Sequence, residues 1–459
     1  MTVKPIAIVV TAVLLEVIII LMTPAQPIYA FSYGDLINLS NNTGFSTNPQ
    51  ITTFGSNVYV VWHDNTSGND DIYFSASADN GTTFNGIENL SNNDGRSDKP
   101  QIAAVGVNVY VVWRDNSSGK DQIYFKRSSD TGNSFNTTEN LSNTNGSSIH
   151  PQITATENNV YIVWSDNTTG NGDIYFKSST DNGTSFSFPK NLSTNLDGQA
   201  LFPQVESTGN NVYVVWEDET PDKGRIRFRA SNDNGNDFSI TRVLSQENEV
   251  NANSPRIDAF GNNVYVVWED NSRSGNDTSE NFDILYRAST DAGTNFTFTK
   301  IISKNPGDSY DPEIAAAGNN MYVVWEDNTS GNDTSIDWDI RFRASTDRGD
   351  TITNDTKVLS DGIGVVADFH QIATAEDNVY VVWSDIYTRS GYPSMYEVFF
   401  LASTDKGINF SNPVNISTRP GRSILPQIGA SGDSVYVVWR DDTTGNGDIY
   451  FKKITSILP

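Results

Sequence analysis

Eight short apolar runs of the form Val-Tyr-Val-Val-Trp punctuate the chain, each followed by an x-Asp step and a polar stretch rich in Asn, Ser, Thr and Gly. Their tryptophans are Trp62, Trp113, Trp164, Trp216, Trp268, Trp325, Trp383 and Trp439, spaced 51, 51, 52, 52, 57, 58 and 56 residues apart. The runs are too short for helices and are dominated by β-branched and aromatic residues, so they predict strands. No apolar 3.6-residue period persists after residue 30, and essentially no helix is expected.

The third repeat shows the plan. Pro151–Thr154 reads as a first strand, Asn159–Trp164 as a second, Asp173–Ser178 as a third, and a fourth leads toward Asn191-Leu192-Ser193. Turn residues separate them at Asp166–Asn171 and Ser179–Phe186. A four-stranded antiparallel unit of this length, repeated, predicts an all-β propeller. The second strand lacks polar alternation because a neighbouring blade covers each face. The eighth unit stops short of a full fourth strand, whereas Leu36-Ile37-Asn38-Leu39-Ser40 precedes the first unit and matches the end of one. This N-terminal strand is expected to complete the last blade, closing an eight-bladed ring and removing its open edges. Seven blades with a spare unit is the alternative.

Composition narrows the setting. Residues 1–30 hold an apolar run from Pro5 to Met22 after Lys4, read as a secretory signal peptide, with an uncleaved N-terminal anchor as the alternative. Residues 31–459 form the propeller domain. The expectation is a secreted or cell-surface monomer with no membrane contact beyond such an anchor. Asn-x-Ser/Thr sequons at Asn38, Asn65, Asn89, Asn116, Asn140, Asn167, Asn191, Asn328 and Asn415 suit a glycoprotein, or a polar repeat copied eight times. With 56 acidic against 30 basic residues the net charge is −26, which disfavours nucleic acid as a partner. There is no cysteine and there are only three histidines, His63, His150 and His370. Thiolate metal sites are thereby excluded and a multi-histidine zinc site is not expected. No cofactor is expected; a structural Ca2+ in the acidic hairpins, at pairs such as Asp64/Asp71 and Asp166/Asp173, is the alternative to hydrogen-bonded turns.

The second turn reads Ser77-Ala78-Asp79-Asn80-Gly81-Thr82-Thr83-Phe84 and recurs six more times, with its aspartate at Asp130, Asp181, Asp233, Asp291, Asp347 and Asp405. It resembles the Asp-box (BNR repeat) of sialidase-like β-propellers, and the resemblance covers nearly the whole chain after residue 30. It implies that these aspartates are fold determinants lying away from any active site. The family's enzymes carry an arginine triad, a Tyr/Glu nucleophile pair, an acid/base Asp and an early Arg-Ile-Pro motif. That early motif is absent here; Pro255-Arg256-Ile257-Asp258, mid-chain, is the nearest string. The family's usual six blades also differ from eight.

Departures from the repeat mark the candidate site. From each Trp to the next turn serine there are 15 residues in units one to four, but 21, 20 and 20 in units five to seven. The added length falls in the hairpins Glu269–Phe282, Glu326–Trp338 and Ser384–Tyr396, on the face where the first strands begin beside the channel. There the Pro-Gln-Ile start changes: Gln becomes Arg256 and Glu313, and Pro becomes His370. Trp338, Tyr387, Tyr392 and Tyr396 lie in or beside the long hairpins. Flat rings with carboxylates and an arginine suit carbohydrate, so Arg256, Glu313, Trp338, His370, Tyr387, Tyr392 and Tyr396 are candidate ligand contacts. The expected function is non-catalytic binding of a glycan or surface protein. The sialidase-type alternative, an exo-sialidase, would use Arg256 for a substrate carboxylate, Tyr310 with Glu313 as nucleophile pair and Asp368 as acid/base. A structural envelope protein is the third reading.

Overall fold

The computed structural model describes residues 30–457 except 195–197, 221–222, 246–250, 272–280, 329–337, 365 and 388–393. It is an eight-bladed propeller. Each blade is a four-stranded antiparallel sheet, and no helix occurs among the described residues. In the first blade the strands are Ser46–Phe54, Asn57–Asp64, Asp71–Ser77 and Glu88–Asn89, running from the channel outward. The first strands of successive blades contact one another all the way round, with the last touching the first.

The unbroken apolar second strand follows from this geometry. Successive side chains of a strand point to opposite faces. Val58, Val60 and Trp62 pack with Tyr436, Val438, Ile449 and Phe451 of the eighth blade. Tyr59 and Val61 pack with Val109, Val111 and Trp113 of the second. One such cluster fills each of the eight interfaces between blades, so the core lies between sheets.

Closure is as expected, and more extensive. The N-terminal strand spans Phe31–Asn38 and pairs with Asp448–Ser456, giving the eighth blade the order first, second and third strands from its own unit and the fourth from the N-terminus. Leu39 N–H donates to the Ile449 carbonyl at 2.7 Å. The other outer strands are two residues long, a length that leaves little edge to recruit another chain. There is no spare unit.

The Ser-x-Asp-x-Gly turn locks one blade to the previous one. Asp79 accepts from the backbone of Thr82 and Thr83 at 3.0 and 2.8 Å and from Ser77 Oγ at 2.7 Å. Gly81 has φ of 72°, and a Cβ there would lie 2.6 Å from Phe451 of the preceding blade. Phe84 meets the Phe451 ring edge-on at 4.7 Å, and Phe135 meets Phe74 likewise at 4.9 Å. These turns define a lower face. The hairpins between second and third strands define the upper face, where Ser46 opposes Asp64 at the start of the first strand.

The sequon asparagines serve the repeat. The side-chain oxygens of Asn65, Asn116, Asn167 and Asn328 accept from the backbone of Phe45, Arg96, Ser147 and Asp308 at 2.7–2.8 Å. Those of Asn38, Asn89, Asn140 and Asn415 accept from the backbone three residues on.

Candidate functional site

Each first strand carries a β-bulge just before the Pro-Gln-Ile start. The bulged residue has left-handed φ in every blade: Asn48, Lys99, His150, Phe202, Ser254, Asp311, Phe369 and Leu425, at 48–55°. Bulges re-aim side chains, and left-handed non-glycine residues gather where surrounding structure holds them. The residue immediately before the bulge opposes the residue after each Trp on the second strand: Thr47 faces His63, Asn253 faces Glu269, Tyr310 faces Glu326 and Asp368 faces Ser384. The eight post-Trp residues are His63, Arg114, Ser165, Glu217, Glu269, Glu326, Ser384 and Arg440. Three glutamates in consecutive blades, four to six, thus oppose a basic arc across the channel. Arg114 and Arg440 in that arc are held by Asp98 and Asp442.

On the acidic side the six-fold glutamine pattern gives way to an ion pair. Arg256 Nε donates to Glu313 Oε1 at 2.9 Å, with 31% and 19% of the two side chains exposed. The guanidinium is therefore compensated by its neighbour. The Glu313 carboxylate, with Asp311 and Glu269 also near, holds Arg256 in its charged form against burial.

Around this pair lies a set of carboxyls displaced from their ordinary range. Glu269 accepts from Ser254 Oγ at 2.9 Å and from the Asp311 N–H at 3.0 Å. Burial, with Asp311 nearby, raises its pKa to about 7. Burial and the adjoining Glu326 carboxylate raise Asp368 to about 7. Burial and Glu219 raise Glu217 to about 8. Asp311 is raised too, by burial and then Glu326. His370 is 3% exposed and brings Nδ1 within 3.4 Å of Glu326 Oε1, while its Nε2 makes no hydrogen bond. Burial opposes its protonation, but Glu326, Glu313 and Asp311 outweigh that and raise its pKa.

Aromatic rings flank the carboxyls. Phe282, Tyr310 and Trp338 form a row, with centroids 5.0 and 5.8 Å apart. The Trp338 carbonyl accepts from Ala367 N–H at 3.0 Å, which fixes the end of the sixth-blade hairpin against the seventh. Tyr396 lies 6.4 Å from Phe369, with the Arg422 guanidinium 5.0 Å over its ring.

The structure therefore gathers Arg256, Tyr310, Glu313, Trp338, Asp368, His370 and Tyr396 at the channel mouth of blades five to seven. Tyr387 is turned toward packing, edge-on to Phe399 at 5.6 Å beside the core of blades six and seven. Tyr392 lies outside the described residues. Tyr310 and Glu313 take different partners: the tyrosine joins the aromatic row and the glutamate takes Arg256. Sequence reasoning passed over Glu269 and Glu326, although Trp-Glu-Asp in three consecutive units was a readable signal.

The hairpin aspartates are engaged locally. Asp64 accepts from Ser46, Asn42 and Thr66; Asp71 from Ser67, Asn89 and Ser91. Asp166 accepts from Thr144, Ser148 and Thr168, and Asp173 from Thr169 and Ser193. Among the described residues, no three His, Asp or Glu side chains are grouped to hold a metal ion.

No family model matches the chain, and no curated protein matches it in sequence. Solved structures share the fold. The crystal structure of polysaccharide lyase Uly1 superposes over 93% of this chain and 100% of its own, with TM-score 0.50 and 10% identity. A protein of unknown function from Dyadobacter fermentans covers 93% of this chain and 99% of its own at TM-score 0.45 and 12% identity. The phage phi92 endosialidase covers 93% and 70% at TM-score 0.43 and 11% identity.

Proposed function

We propose that this chain is an exported, sialidase-like propeller that binds a glycan at the upper channel mouth of blades five to seven, without catalysis. One observation carries the reading: a row of aromatic faces, Phe282–Tyr310–Trp338, stands beside carboxyls able to hydrogen-bond ring hydroxyls. Sugar rings stack their apolar faces on aromatics while polar groups fix orientation. The glycan is neutral or cationic, because Arg256 is already matched by Glu313 and the surrounding side chains are acidic. An acidic sugar would add a carboxylate to that neighbourhood. The shared fold of a polysaccharide lyase is compatible with this reading but assigns no residue.

A glycan array with the wild-type protein and Trp338→Ala tests it. The expected result is binding to neutral or amino-sugar glycans, weakened about tenfold by Trp338→Ala, as loss of roughly 1.4 kcal/mol of stacking gives. No bound glycan, or no effect of the substitution, refutes it.

The raised carboxyls favour a second reading, a glycoside hydrolase, since a general acid needs a pKa near the working pH. Fluorogenic glycosides, a sialoside among them, decide this. Turnover abolished by Asp368→Asn would replace the binding role, and dependence on Arg256 would restore the sialidase assignment.

A further inference from the structure

The exposed apolar side chains are segregated by face. Thirteen large ones are exposed among the described residues, and all but Phe45, Phe202 and Val358 belong to the lower half of the ring. Three are outstanding. Phe188, Ile240 and Phe298 are 92%, 81% and 91% exposed. They occupy the same place in blades three, four and five, two residues after the turn phenylalanines Phe186, Phe238 and Phe296. Those turn phenylalanines are half-buried, each packed edge-on against a core phenylalanine of the preceding blade, whereas the three outer residues touch solvent, so packing of the ring does not account for them. Large apolar side chains left bare at the same position of three consecutive blades, on one face, mark a contact with something else.

The chain itself indicates the occupant. The N-terminal strand starts at the lower edge of blade eight, where Phe31 opposes Ser456 and the Ile457 N–H donates to the Ala30 carbonyl. Whatever precedes Ala30 is attached at that corner, and the preceding sequence includes the apolar run Pro5–Met22. Blade eight lies across the ring from blade four. An apolar segment inserted in a bilayer at one side, and three apolar tips at the other, would lay the lower face along one lipid surface.

We propose that residues 1–30 are retained as an anchor and that the lower face rests on the bilayer, inserting Phe188, Ile240 and Phe298 into its interfacial layer. Exposed aromatic and aliphatic tips bind lipid in this way, by burying apolar area at the headgroup boundary. The upper face with its carboxyls then points away from the membrane. This goes beyond the glycan-binding reading and does not depend on it.

The absence of cysteine makes the test direct. Single variants Phe188→Cys, Ile240→Cys, Phe298→Cys and, on an upper hairpin, Ser118→Cys are labelled with an environment-sensitive fluorophore. The full chain is then reconstituted into phosphatidylcholine vesicles. The expected result is a blue shift and a gain in emission at 188, 240 and 298 and none at 118. No shift at the three lower positions, or an equal shift at 118, overturns the proposal. A shift that grows with protein concentration in the absence of vesicles also overturns it, because a second copy would then cover the face. Unfolding temperatures matching wild type confirm that the labelled chains are intact.

Discussion

Glu269 offers a sharp test of how the candidate site costs the fold. Its carboxyl is buried beside Asp311 and takes hydrogen bonds from Ser254 and the Asp311 backbone, yet burial dominates and lifts its pKa from 4.5 to about 7. A raised folded-state pKa means that the folded chain holds the proton more tightly than the unfolded one. Stability from this group is therefore fully present below pH 4.5, falls as pH rises toward 7, and is lost above it. At about 1.4 kcal/mol per pH unit, the ionised form is disfavoured by roughly 3 kcal/mol. Unfolding entropy of about 2.1 cal/mol/K per residue gives roughly 1 kcal/mol per kelvin for a chain of this length. Glu269→Gln keeps one acceptor and removes the charge. It should raise the midpoint of thermal unfolding by about 3 °C at pH 8 and leave it nearly unchanged at pH 4. Scanning calorimetry or fluorescence melts at the two pH values measure this. An equal shift at both, or a loss of stability at pH 8, would show that the carboxylate is stabilised where it sits and that the raised pKa is wrong.

Other consequences are as direct. Gly81→Ala meets both a left-handed backbone and the Phe451 ring, and should lower stability by about 2–3 kcal/mol in denaturant titration. Arg256→Gln alone strands the Glu313 carboxylate, whereas Arg256→Gln with Glu313→Gln restores the residue found in the other blades; the single variant should melt below wild type and the double variant close to it. Deleting Phe31–Asn38 strips the outer strand from blade eight and exposes the edge of Asp448–Ser456, so size-exclusion chromatography should show association or aggregation.

The ring could be read from sequence because the relevant interactions recur. Val58–Trp62 is apolar at successive positions, which only two covering neighbours explain, and eight copies fix the number of interfaces. The missing outer strand was legible from Leu36–Ser40, though not its full extent from Phe31, since Phe31–Asp35 lacks the motif and Phe31–Tyr33 is held by pairing with Ile454–Ser456 at the far end of the chain. The site was legible only where it breaks the repeat. Arg256, Glu313 and His370 stood out as substitutions in the Pro-Gln-Ile start, and the structure brings them to one mouth. Tyr387 carries the right chemistry, but its side chain is directed by strand pairing with Met395 toward Phe399, which composition does not reveal. Glu269 and Glu326 look ordinary in a chain with 56 acidic residues; the burial of the first, and the approach of the second to His370 and Asp368, emerge only when the strands are brought together. The lower apolar tips were hidden for a similar reason. Phe188 and Phe186 are two residues apart and chemically identical, and only the blade boundary separates a ring packed against the core from a bare one.

The eighth blade joins residues more than 400 positions apart: Asn38 donates to Asp448 and Tyr450. A chain emerging from the ribosome or a translocation pore can assemble its middle blades as they appear, but its first strand must wait for the last unit to arrive. Until then the leading segment is unpaired and the growing arc has two bare ends. Sealing is therefore the late step of assembly, slowed by the cost of bringing distant segments together. A stalled or truncated product would be left as an open crescent, the form that chaperones and proteases would meet first.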